Sequence, residues 1–111
     1  MQTTRPAART DPKAFLKRLE SFPNGSVIVP EGHDWLPRIF GRECTRIRVE
    51  LRKGEAGSVS ELARRLGRDR TAVQKDIVFL EVLGLVERRR AGRSVVVRGV
   101  DRPIVVTHEP L

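Results

Sequence analysis

Cysteine occurs once in the 111 residues, at Cys44, and tyrosine does not occur at all. A single thiol excludes an intrachain disulfide framework, so stability has to come from a packed core. The two histidines, His33 and His108, are far apart and offer no zinc-ligand spacing. Aromatic residues make up 5% of the chain, and they form no stacking platform of the kind that reads single-stranded RNA. No apolar run approaches the roughly 20 residues of a membrane-spanning helix. Met1–Thr10 is polar and has no apolar signal-peptide core, so a soluble, cytoplasmic protein with no membrane partner is expected. There is also no Gly-rich phosphate loop and no Ser/His/Asp set, so neither enzymatic activity nor a cofactor or metal is expected.

What the chain does have is positive charge. Lysine and arginine total 22 against 14 acids, a net +8 in a length that suits one domain with short arms. Residues 1–41 carry six basic and four acidic side chains, residues 42–98 fifteen and eight, and residues 99–111 one and two. Within the middle block, residues 64–98 alone hold ten basic and four acidic groups. Such an excess favours a polyanionic partner, although a basic surface can also be merely solvated.

Secondary-structure signals sharpen toward the same block. Met1–Thr10 reads as a flexible basic arm. Asp11-Pro12 starts a helix with Phe15, Leu16, Leu19 and Phe22 along one stripe, and Pro23-Asn24-Gly25 ends it. Val27–Val29 reads either as a strand or as a plain extended segment, and Asp34 is expected to cap a turn through Trp35 and Leu36. Residues 42–53 fit two patterns. Ile47, Val49 and Leu51 alternate as in a strand, while Phe40, Cys44, Ile47 and Leu51 recur as on a helix. The helix is preferred because the next stretch of chain, from Ser58 on, carries helical signals of its own.

Ser58-Val59-Ser60-Glu61 is a capping box, with the Ser58 hydroxyl aimed at the Glu61 amide and the Glu61 carboxylate reaching back. Val59, Leu62, Ala63 and Leu66 then form an apolar stripe that Gly67 ends as a left-handed cap. Asp69 caps a second helix, with Val73, Ile77, Leu80 and Leu83 inward and Gly84 ending it. Two amphipathic helices joined by Gly67-Arg68-Asp69 must cross at a large angle, which is helix-turn-helix geometry. Beyond them, Leu85–Arg90 and Ser94–Arg98 flank Ala91-Gly92 as a β-hairpin. The predicted fold is α+β, mainly α: a winged helix-turn-helix over 42–98, preceded by an N-terminal helix and connecting segment over 11–41 and succeeded by an extended tail over 99–111.

The segment SVSELARRLGRDRTAVQKDIVFLEVLGLVERRRAGRSVVV resembles the winged helix-turn-helix of MarR-type and related small regulators. The run SV-ELARRLGRD is similar to the second helix of small archaeal and bacterial DNA-binding regulators. LEVLGLVE, where a recognition helix gives way to the wing, is the second diagnostic part. The resemblance covers residues 42–98 and implies a sequence-specific double-stranded DNA-binding transcription regulator.

Candidate contacts come from the helix faces. Arg68, Arg70, Thr71, Gln74 and Lys75 lie off the buried stripe near the start of the recognition helix. Their side chains suit base edges in a major groove, and MarR-type proteins use similar positions. Ser58 and Ser60 sit at a helix N-terminus, and Arg64 and Arg65 can reach phosphates from the same helix. Arg88, Arg90 and Arg93 belong to the wing, with Arg93 at its tip aimed at the minor groove. Each of these also has an ordinary reading as a cap or a solvated surface charge. Trp35, Phe40 and Phe79 are expected to be core rather than a ligand pocket, and Cys44 a buried, inert thiol. A homodimer is expected, since half-sites repeat about one turn apart, with the 11–22 helix and Pro103–Thr107 as dimerisation surfaces. Two alternatives stay open: an antitoxin-like autorepressor with a toxin partner, and a winged-helix protein-interaction scaffold.

Overall fold

The computed structural model describes residues 25–108; the arm expected over 1–10 and the helix expected over 11–22 lie outside them. The described residues divide into two compact units, Asp34–Arg102 and one that joins 25–33 with 103–108.

The Asp34–Arg102 unit begins with a five-residue helix α1 (Trp35–Ile39). Asp34 sits at its N-cap but makes no side-chain cap hydrogen bond, contrary to expectation, because its own backbone is already helical. Gly41 then separates α1 from α2 (Arg42–Lys53). A Cβ at Gly41 would lie 2.8 Å from the Pro37 carbonyl oxygen, so the turn needs a residue without one. The ambiguity over 42–53 resolves as helix. Cys44, Ile47 and Leu51 are buried along one face, whereas Val49, which a strand would have turned inward with Ile47 and Leu51, is 43% exposed.

Helix α3 (Val59–Leu66) starts as the capping box requires, Ser58 Oγ accepting from the Glu61 amide at 3.0 Å. The Glu61 carboxylate reaches back to the Gly57 amide at 3.0 Å, one residue before the cap. Gly67 ends the helix at φ 66°, a left-handed conformation that a Cβ disfavours. After the short turn, Asp69 Oδ2 accepts from the Ala72 amide at 3.2 Å and opens α4 (Arg70–Val82). Val59, Leu62, Ala63 and Leu66 of α3 and Val73, Ile77, Phe79 and Leu80 of α4 are all buried. Leu83, expected to point inward, is the half-buried C-cap residue instead.

The hairpin pairs β2 (Val86–Ala91) with β3 (Ser94–Gly99) in antiparallel register, Val86 opposite Gly99 and Ala91 opposite Ser94. Gly92-Arg93 is therefore a two-residue turn. Ala56 adds a single antiparallel bridge to Val97, each amide donating to the other's carbonyl at 2.9 Å. The order helix, helix, turn, helix, hairpin makes this unit a winged helix, as the sequence implied. It is longer than the expected 42–98 at both ends. Ile39 of α1 is fully buried, and the Val100 amide donates to the Leu85 carbonyl at 2.9 Å.

In the other unit, β1 (Val27–Pro30) pairs in parallel with β4 (Ile104–Thr107), Val27 opposite Ile104 and Pro30 opposite Thr107. The Val27 amide donates to the Pro103 carbonyl at 2.8 Å and the Glu31 amide to that of Thr107 at 2.6 Å. Thus Val27–Val29 is a strand, and part of the segment read as an extended tail is its partner.

Candidate nucleic-acid interface

Three local decisions build one groove. The capping box fixes the start of α3, the Asp69 cap fixes the start of α4, and the two-residue turn brings the tip of the hairpin round. Between them lies a groove of about 330 Å³ whose lining includes Ser58, Ser60, Arg70, Gln74, Arg88 and Arg93, six of the residues singled out from sequence. Ser94 and Val95 complete its wing side and were not anticipated. Their signal was the turn length, since a two-residue loop sets Ser94 directly across from Ala91.

Several groove residues are held in place. Arg70 Nε donates to Ser60 Oγ at 2.9 Å, tying the first residue of α4 to the first turn of α3. Arg88 donates from Nη2 to Glu81 Oε1 at 2.7 Å, and from Nε to the two carboxylate oxygens at 3.1 and 3.2 Å. That hydrogen-bonded carboxylate pushes the Arg88 pKa up and fixes its planar fork against α4. Gln74, half-buried, and Arg93, exposed, have no such partner among the described residues.

Thr71 and Lys75 are exposed on α4, Arg64 on α3 and Arg90 on the wing, outside the groove lining. Arg65 and Arg68 have other engagements. Arg65 donates to Glu50 Oε2 from Nε at 3.1 Å and to the carbonyls of Glu50, Gly54 and Glu55, stapling α3 to α2. Arg68 bridges Asp76 at 3.0 Å and Glu43 at 3.5 Å, and its side chain is only 15% exposed. Both were grouped by sequence with outward-facing cations. Their partners on α2 come close only through tertiary packing, so no local spacing announced them.

The aromatic expectation is corrected in part. Phe79 is buried, but Trp35 and Phe40 are 41% and 55% exposed, since of α1 only Ile39 turns fully inward. Trp35 meets Phe79 edge-on at 6.0 Å, and the Arg38 guanidinium lies 4.1 Å over the Phe79 ring while bridging Asp76 at 3.2 Å. Arg38 had no sequence signal. Cys44 is buried, and the loss of solvent raises its thiol pKa, as expected of an unreactive position. Among the described residues no group of three or more His, Cys, Asp or Glu could hold a metal ion, and no helix is long and apolar enough to cross a membrane.

Comparison with known proteins adds three findings. Residues 47–102 match the HVO_A0114 family. The uncharacterized protein MJ1082 of Methanocaldococcus jannaschii is 42% identical over 64 residues, covering 56% of this chain and 53% of that protein. The chain thus spans about half the length of that curated relative. The solution structure of apo-NmtR is similar at a TM-score of 0.50 and 28% identity, covering 91% of this chain and 72% of that one.

Proposed function

The chain belongs to the HVO_A0114 family, and from that premise and the groove at the wing we propose that it is a DNA-binding transcription regulator acting by recognition rather than catalysis. The observation that carries this reading is the convergence of Ser60, Arg70, Gln74 and Arg93 on one groove, in a unit with the winged-helix fold. In this reading the exposed face of α4 enters a major groove, where Arg70 and Lys75 meet guanine edges or phosphates and Gln74 meets adenine. Thr71 is suited to a thymine methyl. The wing lies along the backbone, with Arg90 on phosphate and Arg93 in the adjacent minor groove. Arg64 reaches phosphate from α3, while Ser58, Ser60 and Arg88 shape the groove. Arg65 and Arg68 hold helices together and contribute no direct contact. The protein acts as a homodimer on paired half-sites, which a mass measurement of the free protein checks.

Selection from random duplexes and then binding at several salt concentrations tests the reading. Gln74→Ala is expected to change the preferred sequence at one position, at a cost of about 1–3 kcal/mol on the best site. Arg93→Ala should weaken all duplexes nearly equally and reduce the salt slope by about one unit. Unchanged preference in the first variant and an unchanged slope in the second would overturn the assignment.

A further inference from the structure

Glu81 is the last residue but one of α4 and Arg88 the third of β2, and only residues 83–85 join the two elements. Gly84 carries that link at φ 77°. Across it the Arg88 fork grips the Glu81 carboxylate, Nη2 at 2.7 Å and Nε at 3.1 and 3.2 Å from its oxygens. The side chains are 28% and 33% exposed, so the pair is forked and partly withdrawn from solvent, the geometry in which an ion pair orients its partners. Arg89, on the opposite face of the strand, reaches Glu55 only at 3.6 Å, with both side chains well exposed. Of these two contacts, the firm one comes from α4.

For a polyanionic partner this clamp is counterproductive on charge alone. Arg88 lines the groove, yet its fork is filled by a carboxylate rather than a phosphate, and Glu81 itself lies outside the lining. Leverage gives the pair a use. Three residues of β2 separate Arg88 from the turn at Gly92-Arg93, about 10 Å of strand, so a tilt of about 10° at Arg88 moves the tip by about 2 Å. Recognition geometry has to be held to about 0.5 Å. Gln74 on α4 and Arg93 at the tip line one groove, and the angle at which the hairpin leaves α4 sets the distance between them.

We propose that Glu81 is a positioning residue for sequence recognition: through Arg88 it fixes the stance of the wing on α4, so that Gln74 and Arg93 meet the adjacent major and minor grooves of one B-form duplex together. The inference rests on the DNA-binding function proposed above and adds to it a carboxylate that makes no contact with DNA. It also reverses the sign expected from charge. Removing Glu81 adds one unit to the net +8 and frees Arg88 for a phosphate, which by electrostatics alone tightens every duplex and steepens the salt slope by about one unit. If Glu81 positions the wing, the preferred duplex is bound more weakly and only random sequence gains.

The test uses the whole chain in two arms. In the free protein, amide relaxation measured by NMR should show residues 89–95 losing order in Glu81→Leu while Ile77 and Leu80 stay rigid. In the second arm, affinity is measured for the duplex that selection returns and for a random duplex of equal length. Glu81→Leu should lower the ratio of the two about tenfold, or about 1.4 kcal/mol, and Glu81→Gln, which keeps one acceptor oxygen, should lower it less. A fold defect reduces both affinities alike and leaves the ratio unmoved. Arg88→Leu should match the loss, and the double variant should lose no more than either single one. Glu87→Gln removes the same charge from the wing, where Glu87 pairs with Arg98, and should bind the preferred duplex at least as tightly as wild type. A wing equally ordered in Glu81→Leu, an unchanged ratio, additive losses, or the same loss in Glu87→Gln would each overturn the proposal alone. A wild-type protein that prefers no duplex would overturn the DNA-binding reading and this proposal with it.

Discussion

Arg65 and Arg88 are the same residue type put to opposite uses. Arg65 is surrounded by the acceptors of α2 and the loop after it, so its charge is consumed in joining two helices. Arg88 has one carboxylate, Glu81, and keeps its place in the groove lining. The other end of the Arg65 network gives a pH prediction. Hydrogen bonding from Arg65 holds the Glu50 carboxyl below its ordinary value of 4.5, and Lys53 adds to the effect. A folded-state pKa below the unfolded one stabilises the protein above the unfolded value, and that contribution disappears as pH falls through the folded value. Stability measured by urea unfolding should therefore fall below about pH 4.5, and Glu50→Gln should fall less steeply there while being less stable at pH 7. Parallel curves for the two proteins would exclude the Arg65–Glu50 pair as a contributor.

At the scale of elements, α2 is where two periodicities competed. Ile47 and Val49 belong to the same face of a strand but to different faces of a helix. Ile47 is fully buried and Val49 exposed, so Ile47→Ala should cost about 2–5 kcal/mol, and Val49→Ala should stay within about 0.5 kcal/mol. Equal losses in chemical denaturation would contradict the helical placement. The caps of α3 and α4 and the turn between them were legible in sequence because each depends on residues within four positions of one another. The hairpin was legible for the same reason, its turn being set by Gly92 and its neighbours. The groove could be assembled in advance only because its residues flank those local signals. What sequence hid was whatever depends on tertiary partners: the engagement of Arg65 by Glu50 of α2 and of Arg68 by Asp76 of α4 and Glu43 of α2, the exposure of Trp35 and Phe40, and the pairing of β1 with β4. A parallel register between Val27 and Ile104 leaves no mark at either site beyond two short apolar runs.

At the scale of the whole molecule, charge is divided between construction and display. Residues 64–98 hold ten basic groups. Ion pairs within the unit engage Arg65, Arg68, Arg88, Arg89 and Arg98. Arg64, Arg70, Lys75, Arg90 and Arg93 form no ion pair among the described residues, and they lie on the first turns of α4, the wing and the adjoining face of α3. The net +8 thus overstates the footprint available to a polyanion, and its placement matters more than its size.

The pairing of β1 with β4 has a consequence for the order of assembly. Parallel neighbours cannot be joined by a tight turn and need a long crossover, ordinarily one helix. Here the crossover is the entire Asp34–Arg102 unit. While that segment is unfolded, bringing Val27 to Ile104 means closing a long loose loop, and the entropy of closure opposes it. Once the winged helix has formed, the same loop has a fixed span. The two strands should then be the last to pair and the first to part. Native-state hydrogen exchange should find the amide of Val105, which faces β1 in this register, opening at lower free energy than those of Ile77 and Leu80; equal protection would refute this order. The dependence is one-sided: the winged helix can close on itself without the strands, but the strands have no route to each other except through it.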